Sequence, residues 1–320
     1  MSRPKVAIYW AASCGGCDTK ILDTDEKLLD IAAAVDIVFW PIAMDFKYAD
    51  LEKFADREID LTIINGAVRN SEQEHIVKLL RRKSKVVAAL GACAVSGGIP
   101  GLANQFTADE MLDYIYRKTL TTEPNSQPPK TETETEDGVL TLPKFYNTVF
   151  SLPQVIDVEY FIPGCPPPPS LIAKALELFV AGELPPPPAF VVGDKSVCDE
   201  CPRERTGKFE VKQWKRLATH QPEQSNKCLL EQGFLCLGPA TPSGCGALCP
   251  KANMPCEGCM GKSQDVVDRG AKFISTIASL YPAKTEEEIK KMLDEIPDLV
   301  GTLYRFDLPS SVLRGKVKKS

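Results

Sequence analysis

The chain has 320 residues, 43% hydrophobic and 25% charged, with a formal net charge of -5. That length and apolar content support one large domain or two ordinary ones with cores of their own, which sets aside a small secreted domain stapled by disulfides. The balance of 38 Lys plus Arg against 43 Asp plus Glu proposes no nucleic-acid surface.

The N-terminus, Met1 to Lys5, runs directly into the apolar stretch Val6 to Ala12. That stretch is too short for a membrane span and is followed by no small-residue cleavage site and preceded by no twin-arginine pair, so a cytoplasmic chain with reduced thiols is expected. Short β-rich runs then alternate with helical patterns, as in a parallel sheet covered by helices. Val6 to Trp10 reads as the first strand and Thr19 to Ala34, with Ile21, Leu22, Leu28, Leu29 and Ile31, as the helix after it. Asp36 to Ile42 and Leu61 to Asn65 are the next strands. Ser71 opens a helix with the capping-box order Ser-x-x-Glu through Glu74. Lys85 to Leu90 is the fourth strand. Residues 121–138 are polar, rich in Thr, Glu and Pro, and read as a surface insertion or flexible loop. Val155 to Ile162 is the fifth strand, Ser170 to Ala181 its helix, and Pro185 to Pro188 a stiff linker that ends this domain. Beyond it, Val266 to Leu280 and Thr285 to Leu299 read as amphipathic helices, the second opening with Thr285-x-x-Glu288, and Arg314 to Lys319 as a solvated basic end. The expected organisation is a sheet domain over 1–184, a cysteine-rich region over 185–262 and C-terminal helices over 263–320.

Twelve cysteines punctuate this map. Cys14 and Cys17 follow the first predicted strand, Cys93 the fourth and Cys165 the fifth, and ligands of open α/β sheets bind outside the carboxyl ends of the strands. Gly15, Gly16, Gly91 and Gly164 let the backbone approach closely there. Ser13 to Cys17 has too few glycines for a dinucleotide fingerprint and no phosphate-cradling lysine, so it is not a nucleotide turn. The other eight thiols lie between Cys198 and Cys259: Cys198-x-x-Cys201, Cys228, Cys236, Cys245, Cys249, Cys256-x-x-Cys259. Three sets of four suit three cuboidal iron-sulfur clusters. Structural zinc is the chief rival, although zinc ribbons draw two close pairs from one short stretch, unlike the first set. So few strong core formers between 198 and 259 imply that bound metal supplies part of that region's stability.

Trp10-Ala-Ala-Ser-Cys14-Gly-Gly-Cys17, Gly91-Ala-Cys93-Ala, Pro163-Gly-Cys165-Pro-Pro and Cys228-Leu-Leu-Glu-Gln-Gly-Phe-Leu-Cys236-Leu-Gly-Pro together resemble the small, electron-transferring subunit of nickel-iron hydrogenases over about residues 5 to 262. Gly97 to Gly101, the pair Cys198 and Cys201, and Cys245 to Cys256 resemble most the cytoplasmic deazaflavin-non-reducing, or methyl-viologen-reducing, branch found in methanogens and related anaerobes. The resemblance implies a flavodoxin-like α/β domain with helices on both faces, then a largely irregular or helical iron-sulfur domain. It implies three 4Fe-4S clusters: proximal on Cys14, Cys17, Cys93 and Cys165; medial on Cys245, Cys249, Cys256 and Cys259; distal on Cys198, Cys201, Cys228 and Cys236. Periplasmic relatives use one histidine distally and three thiolates medially, so Cys198 and Cys249 are departures, and thiolate in place of imidazole lowers a potential through its negative charge. His75 and His220 are then not ligands. Asp18 stands where many relatives carry an acidic residue near the subunit contact; a proton role competes there with a simple helix-dipole one, which is preferred.

The implied partners are a nickel-iron large subunit that holds the hydrogen-splitting site, an iron-sulfur delta-type subunit, and a heterodisulfide reductase complex; no catalytic residue is expected in this chain. The competing readings are a small subunit feeding deazaflavin or NAD(P), a complex I-like single-cluster subunit, and a zinc-stabilised binding module.

Overall fold

The computed structural model describes residues 3–123, 126–207, 209–263, 266–296 and 298–314. The chain enters through β1 (Lys5–Trp10), turns into α1 (Gly16–Leu22) and α2 (Lys27–Ala34), and returns as β2 (Asp36–Phe39). The single helix expected over 19–34 is therefore two. Asp25 adopts a left-handed φ of 54°, a conformation that breaks a helix and that Asp tolerates better than most residues, and Thr24 Oγ1 donates to the Ile21 carbonyl at 2.7 Å to close the first piece.

After α3 (Tyr48–Glu52) come β3 (Ile59–Asn65), β4 (Val68–Asn70), α4 (Ser71–Lys83), β5 (Ser84–Leu90), α5 (Gly91–Ser96) and α6 (Ala108–Asp113). The cap of α4 sits one residue earlier than the Ser-x-x-Glu pattern places it. Asn70 accepts from Gln73 N–H at 2.9 Å and Gln73 Oε1 accepts from Asn70 N–H in return. Ser71 Oγ takes the Lys144 N–H, and Glu74 binds Lys78 and Tyr146.

The polar insertion ends in an exposed hairpin, β6 (Glu132–Thr135) with β7 (Gly138–Thr141), ahead of β8 (Phe145–Phe150), which pairs antiparallel with β4. Its Glu-Thr-Glu-Thr alternation supplies β-favouring residues with no apolar face, so no hydrophobic period announces it. β9 (Tyr160–Ile162) is shorter than expected because Leu152–Gln154 forms a 3-10 turn, while Val155, Ile156 and Val158 pack onto the core from irregular chain. α7 (Pro169–Ala181) follows, then β10 (Ala189–Phe190). β10 pairs with β9, so the sheet extends past the boundary expected at 184, and the proline run leads into the sheet edge instead of out of the domain.

The six main strands lie in the order β10-β9-β5-β3-β1-β2, every pairing parallel. This is the flavodoxin-type order with an added edge strand. Ile21, Leu171, Ile172 and Leu176 cover one face, and Ile76, Val77 and Leu80 the other.

Beyond β10, the helices among the described residues of the cysteine-rich region are short, α8 (Val197–Glu200) and α9 (Leu248–Lys251), yet it is not bare of apolar core. Val197, Trp214, Leu229 and Phe234 pack with Phe273 and Ile277 of α10 (Arg269–Leu280), Met292 of α11 (Glu286–Asp294) and Leu303 of α12 (Leu299–Leu303). The C-terminal segment thus completes a hydrophobic cluster that the cysteine-rich stretch begins. The fully buried Arg269 pairs with Asp307 at 2.8 Å, and Phe306 to Pro309 reach the sheet domain: Ser96 Oγ and Gly98 N–H both donate to the Phe306 carbonyl. Most of the expected basic end, 315–319, lies outside the described residues.

Because the Asn70 side chain and not Ser71 satisfies the first turn of α4, Asn70→Ala is expected to cost about 1 kcal/mol, and Ser71→Ala clearly less; urea midpoints of the two variants under anaerobic conditions check the ranking.

Candidate metal centres

The carboxyl ends of β1, β5 and β9 deliver the first thiol set. Cys17 feels the charges of Cys93, Cys165 and Cys14, and Cys93 those of Cys165 and Cys14, so the four residues converge from widely separated parts of the chain. Close approach demands glycine. Gly91 has a φ of 83°, and a Cβ there would run into Cys17 Sγ; Gly98 has a φ of 56°, and its Cβ would lie 2.5 Å from Cys93 Sγ. Cys17 and Cys93 are buried whereas Cys14 is exposed, as are the side chains of Trp10 and Ile99, 40% and 50% exposed. Trp10 lies over Gly15 and donates from Nε1 to the Ser13 carbonyl.

The eight later thiols gather in two sets. Cys198 feels Cys236, Cys228 and Cys201, and these four line a void of about 20 Å³. Cys245, Cys249, Cys256 and Cys259 line a larger cavity of about 240 Å³ that Cys165 also borders. The sets abut: Cys256 N–H donates to Cys236 Sγ at 3.2 Å, and Cys259 feels the charge of Cys165. Two side chains clamp the later sets to each other. Glu200, between Cys198 and Cys201, accepts from Gly244 and Gly246 N–H at 2.9 Å each, on either side of Cys245. Arg203 donates to the Pro250 carbonyl at 2.9 Å and to Asn253 Oδ1 at 2.6 Å. Nothing in the spacing of the sequence marks either residue.

Burial is the main cause that raises these thiols, and their neighbours add to it. Cys93 and Cys198 are pushed up to about 12, Cys236 and Cys259 to about 11, and Cys17 and Cys256 beyond the usual thiol range. Without a bound cation these groups stay protonated at neutral pH, because burial disfavours the charged form first and repulsion between neighbouring thiolates adds to it. A cationic iron-sulfur core removes that repulsion, and main-chain N–H groups stand ready for the sulfurs: Ile99 for Cys93, Gly238 for Cys236, Gly258 for Cys256. Among the described residues, no three His, Cys, Asp or Glu side chains converge tightly enough for a single ion, whereas the 240 Å³ cavity lined by Cys245, Cys249, Cys256 and Cys259 has room for a group of several atoms. Donor chemistry and spacing fit iron-sulfur clusters.

Asp18 has a more specific setting than a helix dipole requires. It is 4% exposed; one carboxylate oxygen accepts from Trp40 Nε1 at 3.0 Å and the other from Asn65 Nδ2 at 2.7 Å. Asn65 Oδ1 in turn accepts from Ser13 Oγ at 3.0 Å, so the network ties the ends of β1, β2 and β3 beside Cys17. His75 is exposed on α4, and His220 bonds Thr219 Oγ1; neither joins a thiol set.

Comparison with known proteins agrees with this architecture. Residues 14–179 match the family model described as NADH ubiquinone oxidoreductase, 20 Kd subunit. The chain is 40% identical to the iron-sulfur subunit of the F420-non-reducing hydrogenase of Archaeoglobus profundus, over 98% of this chain and 99% of that one. It is 38% identical to the corresponding vhu-type subunit of the F420-non-reducing hydrogenase of Methanocaldococcus jannaschii, over 98% of each. Among solved structures, the [NiFeSe] hydrogenase from Desulfovibrio vulgaris Hildenborough shares the fold, with a TM-score of 0.50 and 17% identity over 83% of this chain and 95% of that one.

Asp18→Asn turns one acceptor into a donor facing the Asn65 amide or the Trp40 indole. A loss of about 1–3 kcal/mol is expected, read from the denaturant midpoint of the anaerobic protein.

Proposed function

The chain belongs to the family of F420-non-reducing hydrogenase iron-sulfur subunits, and is therefore a hydrogenase-type oxidoreductase component that works with a large subunit; from that premise we propose that it carries electrons from hydrogen oxidation through three 4Fe-4S clusters. The observation that carries this reading is the gathering of all twelve thiols into three abutting sets of four that lead away from the sheet edge.

In this reading Cys14, Cys17, Cys93 and Cys165 hold the proximal cluster, Cys245, Cys249, Cys256 and Cys259 the medial one, and Cys198, Cys201, Cys228 and Cys236 the distal one. When bound, the clusters supply one-electron carriers; the chain supplies thiolate ligation, N–H donors and exclusion of water. Exposed Cys14, with the exposed side chains of Trp10 and Ile99, faces the large subunit, which holds the nickel-iron site. At the far end, four thiolates with no imidazole favour a low distal potential.

The proposed acceptor, supported by the sequence resemblance alone, is a delta-type iron-sulfur subunit leading to a heterodisulfide reductase-type complex. No helix among the described residues is long and apolar enough to cross a membrane, and a cytoplasmic location is proposed with that acceptor.

Anaerobically purified protein is expected to hold about twelve iron atoms per chain with matching sulfide, since each cuboidal cluster carries four. Zinc without visible absorbance overturns the reading. Cys198→Ser is expected to change only the distal signal in electron paramagnetic resonance and to leave hydrogen-driven reduction of the proximal centre intact; loss of the proximal signal instead would show the grouping to be wrong.

A further inference from the structure

Arg69, on β4, is 6% exposed, yet among the described residues it pairs with no acidic side chain. Its Nη1 has no hydrogen-bond partner, and its Nη2 reaches only the Met111 sulfur of α6, at 3.7 Å. The guanidinium carbon lies 4.4 Å from the centre of the Phe145 ring on β8, the strand that pairs with β4. A ring face and a thioether attract a cation only weakly and do not replace the water it has lost. The buried Arg269 and Lys83, by contrast, each have a carboxylate, Asp307 and Asp56.

The surroundings of this cation are apolar and open to solvent. Tyr114 and Ile115, on the helical turn Tyr114–Lys118 that continues α6, stand three and four residues beyond Met111 and share its face of the helix. Tyr114, Ile115 and Phe145 are 60%, 54% and 45% exposed. The same surface is tied to the edge that gathers the first thiols. Val149 of β8 packs against Cys93 and Ala67, and Asn104, on the turn that begins at Ile99, binds the Val149 N–H at 2.7 Å and its carbonyl at 3.1 Å. The Ala108 N–H at the start of α6 donates to Asn147 Oδ1 at 2.9 Å. Strand β8 therefore runs from Cys93 at Val149 to Arg69 at Phe145, four residues at about 3.3 Å each.

We propose that Arg69 anchors an Asp or Glu side chain of the large subunit, carried on an apolar segment that covers Tyr114, Ile115 and Phe145. Charge complementarity fixes the acidic group, since a buried guanidinium lacks only a carboxylate, and the exposed rings and Ile115 fix the apolar segment around it; a small free anion would leave them in water. Continuity along β8 with the face that bears Cys14, Trp10 and Ile99 fixes the partner. In the free chain Arg69 carries a desolvation cost that nothing offsets, and docking supplies the missing half of the ion pair. Such a contact discriminates strongly, because a partner surface without the carboxylate would seal the cation away from water unpaired.

This inference rests on the reading that the first thiol set faces the large subunit, and its test separates the two. Arg69→Met removes the charge and keeps a long apolar side chain; Arg69→Lys keeps the charge. Each full-length, anaerobically prepared variant is titrated with separately purified large subunit, and its urea midpoint is measured alone. For Arg69→Met, the expected result is a midpoint equal to or above that of the unmodified chain, because an unpaired buried charge is gone, with affinity for the large subunit lowered at least tenfold; Arg69→Lys should fall between. Unchanged affinity of Arg69→Met overturns the anchor alone. A lowered midpoint or lost iron in that variant also overturns it, since the guanidinium would then serve its own chain. Unchanged affinity for the large subunit with loss of self-association, or of binding to the delta-type subunit, overturns the choice of partner. Failure of the unmodified, iron-loaded chain to bind the large subunit overturns the reading beneath.

Discussion

The burial of clustered thiols is the constraint on which this molecule turns. Each set brings sulfurs together in a weakly screening environment, where burial first and like neighbours second drive Cys17, Cys198 and Cys256 toward the protonated state. Such a grouping has little to hold it together until a cation arrives, so the polypeptide must impose the geometry by other means. It does so with glycines that let backbone touch sulfur, with Glu200 and Arg203 that fasten one loop to another, and with N–H groups aimed at the sulfurs.

The two halves solve that problem differently. The parallel sheet makes the first set almost unavoidable, since the loops after β1, β5 and β9 share one edge and need only short glycine turns to meet. The later sets have no sheet to order them. Their scaffold is a hydrophobic cluster that the cysteine-rich stretch shares with α10, α11 and α12, closed by the buried Arg269–Asp307 pair. A buried pair of this kind contributes more to a fixed arrangement than to net stability, and its Arg269 side chain also donates to the Gly258 carbonyl between Cys256 and Cys259.

Much of the first domain was legible because strands flanked by glycine and cysteine carry local signals: β1, β3 and β5 lie where their apolar runs begin and end, within a residue or two. The break at Asp25 was hidden because the apolar spacing continues across it, and a single left-handed residue leaves no periodic trace. β10 was missed because two residues after a proline run carry no pattern of their own; only pairing with β9 makes them a strand. The Asp18 network was equally out of reach, since Trp40 and Asn65 come to it from other strands, and the core completed by the C-terminal helices depends on residues far from the cysteines they support.

The contact of Ser96 and Gly98 with the Phe306 carbonyl joins residues 210 positions apart in one case. The loop that presents Ile99 N–H to Cys93 is thus finished by chain made long after the cysteines of the sheet edge. The edge that gathers the first thiols is therefore not the property of the sheet alone: a change near Phe306, more than two hundred residues away, reaches it through two main-chain carbonyl contacts.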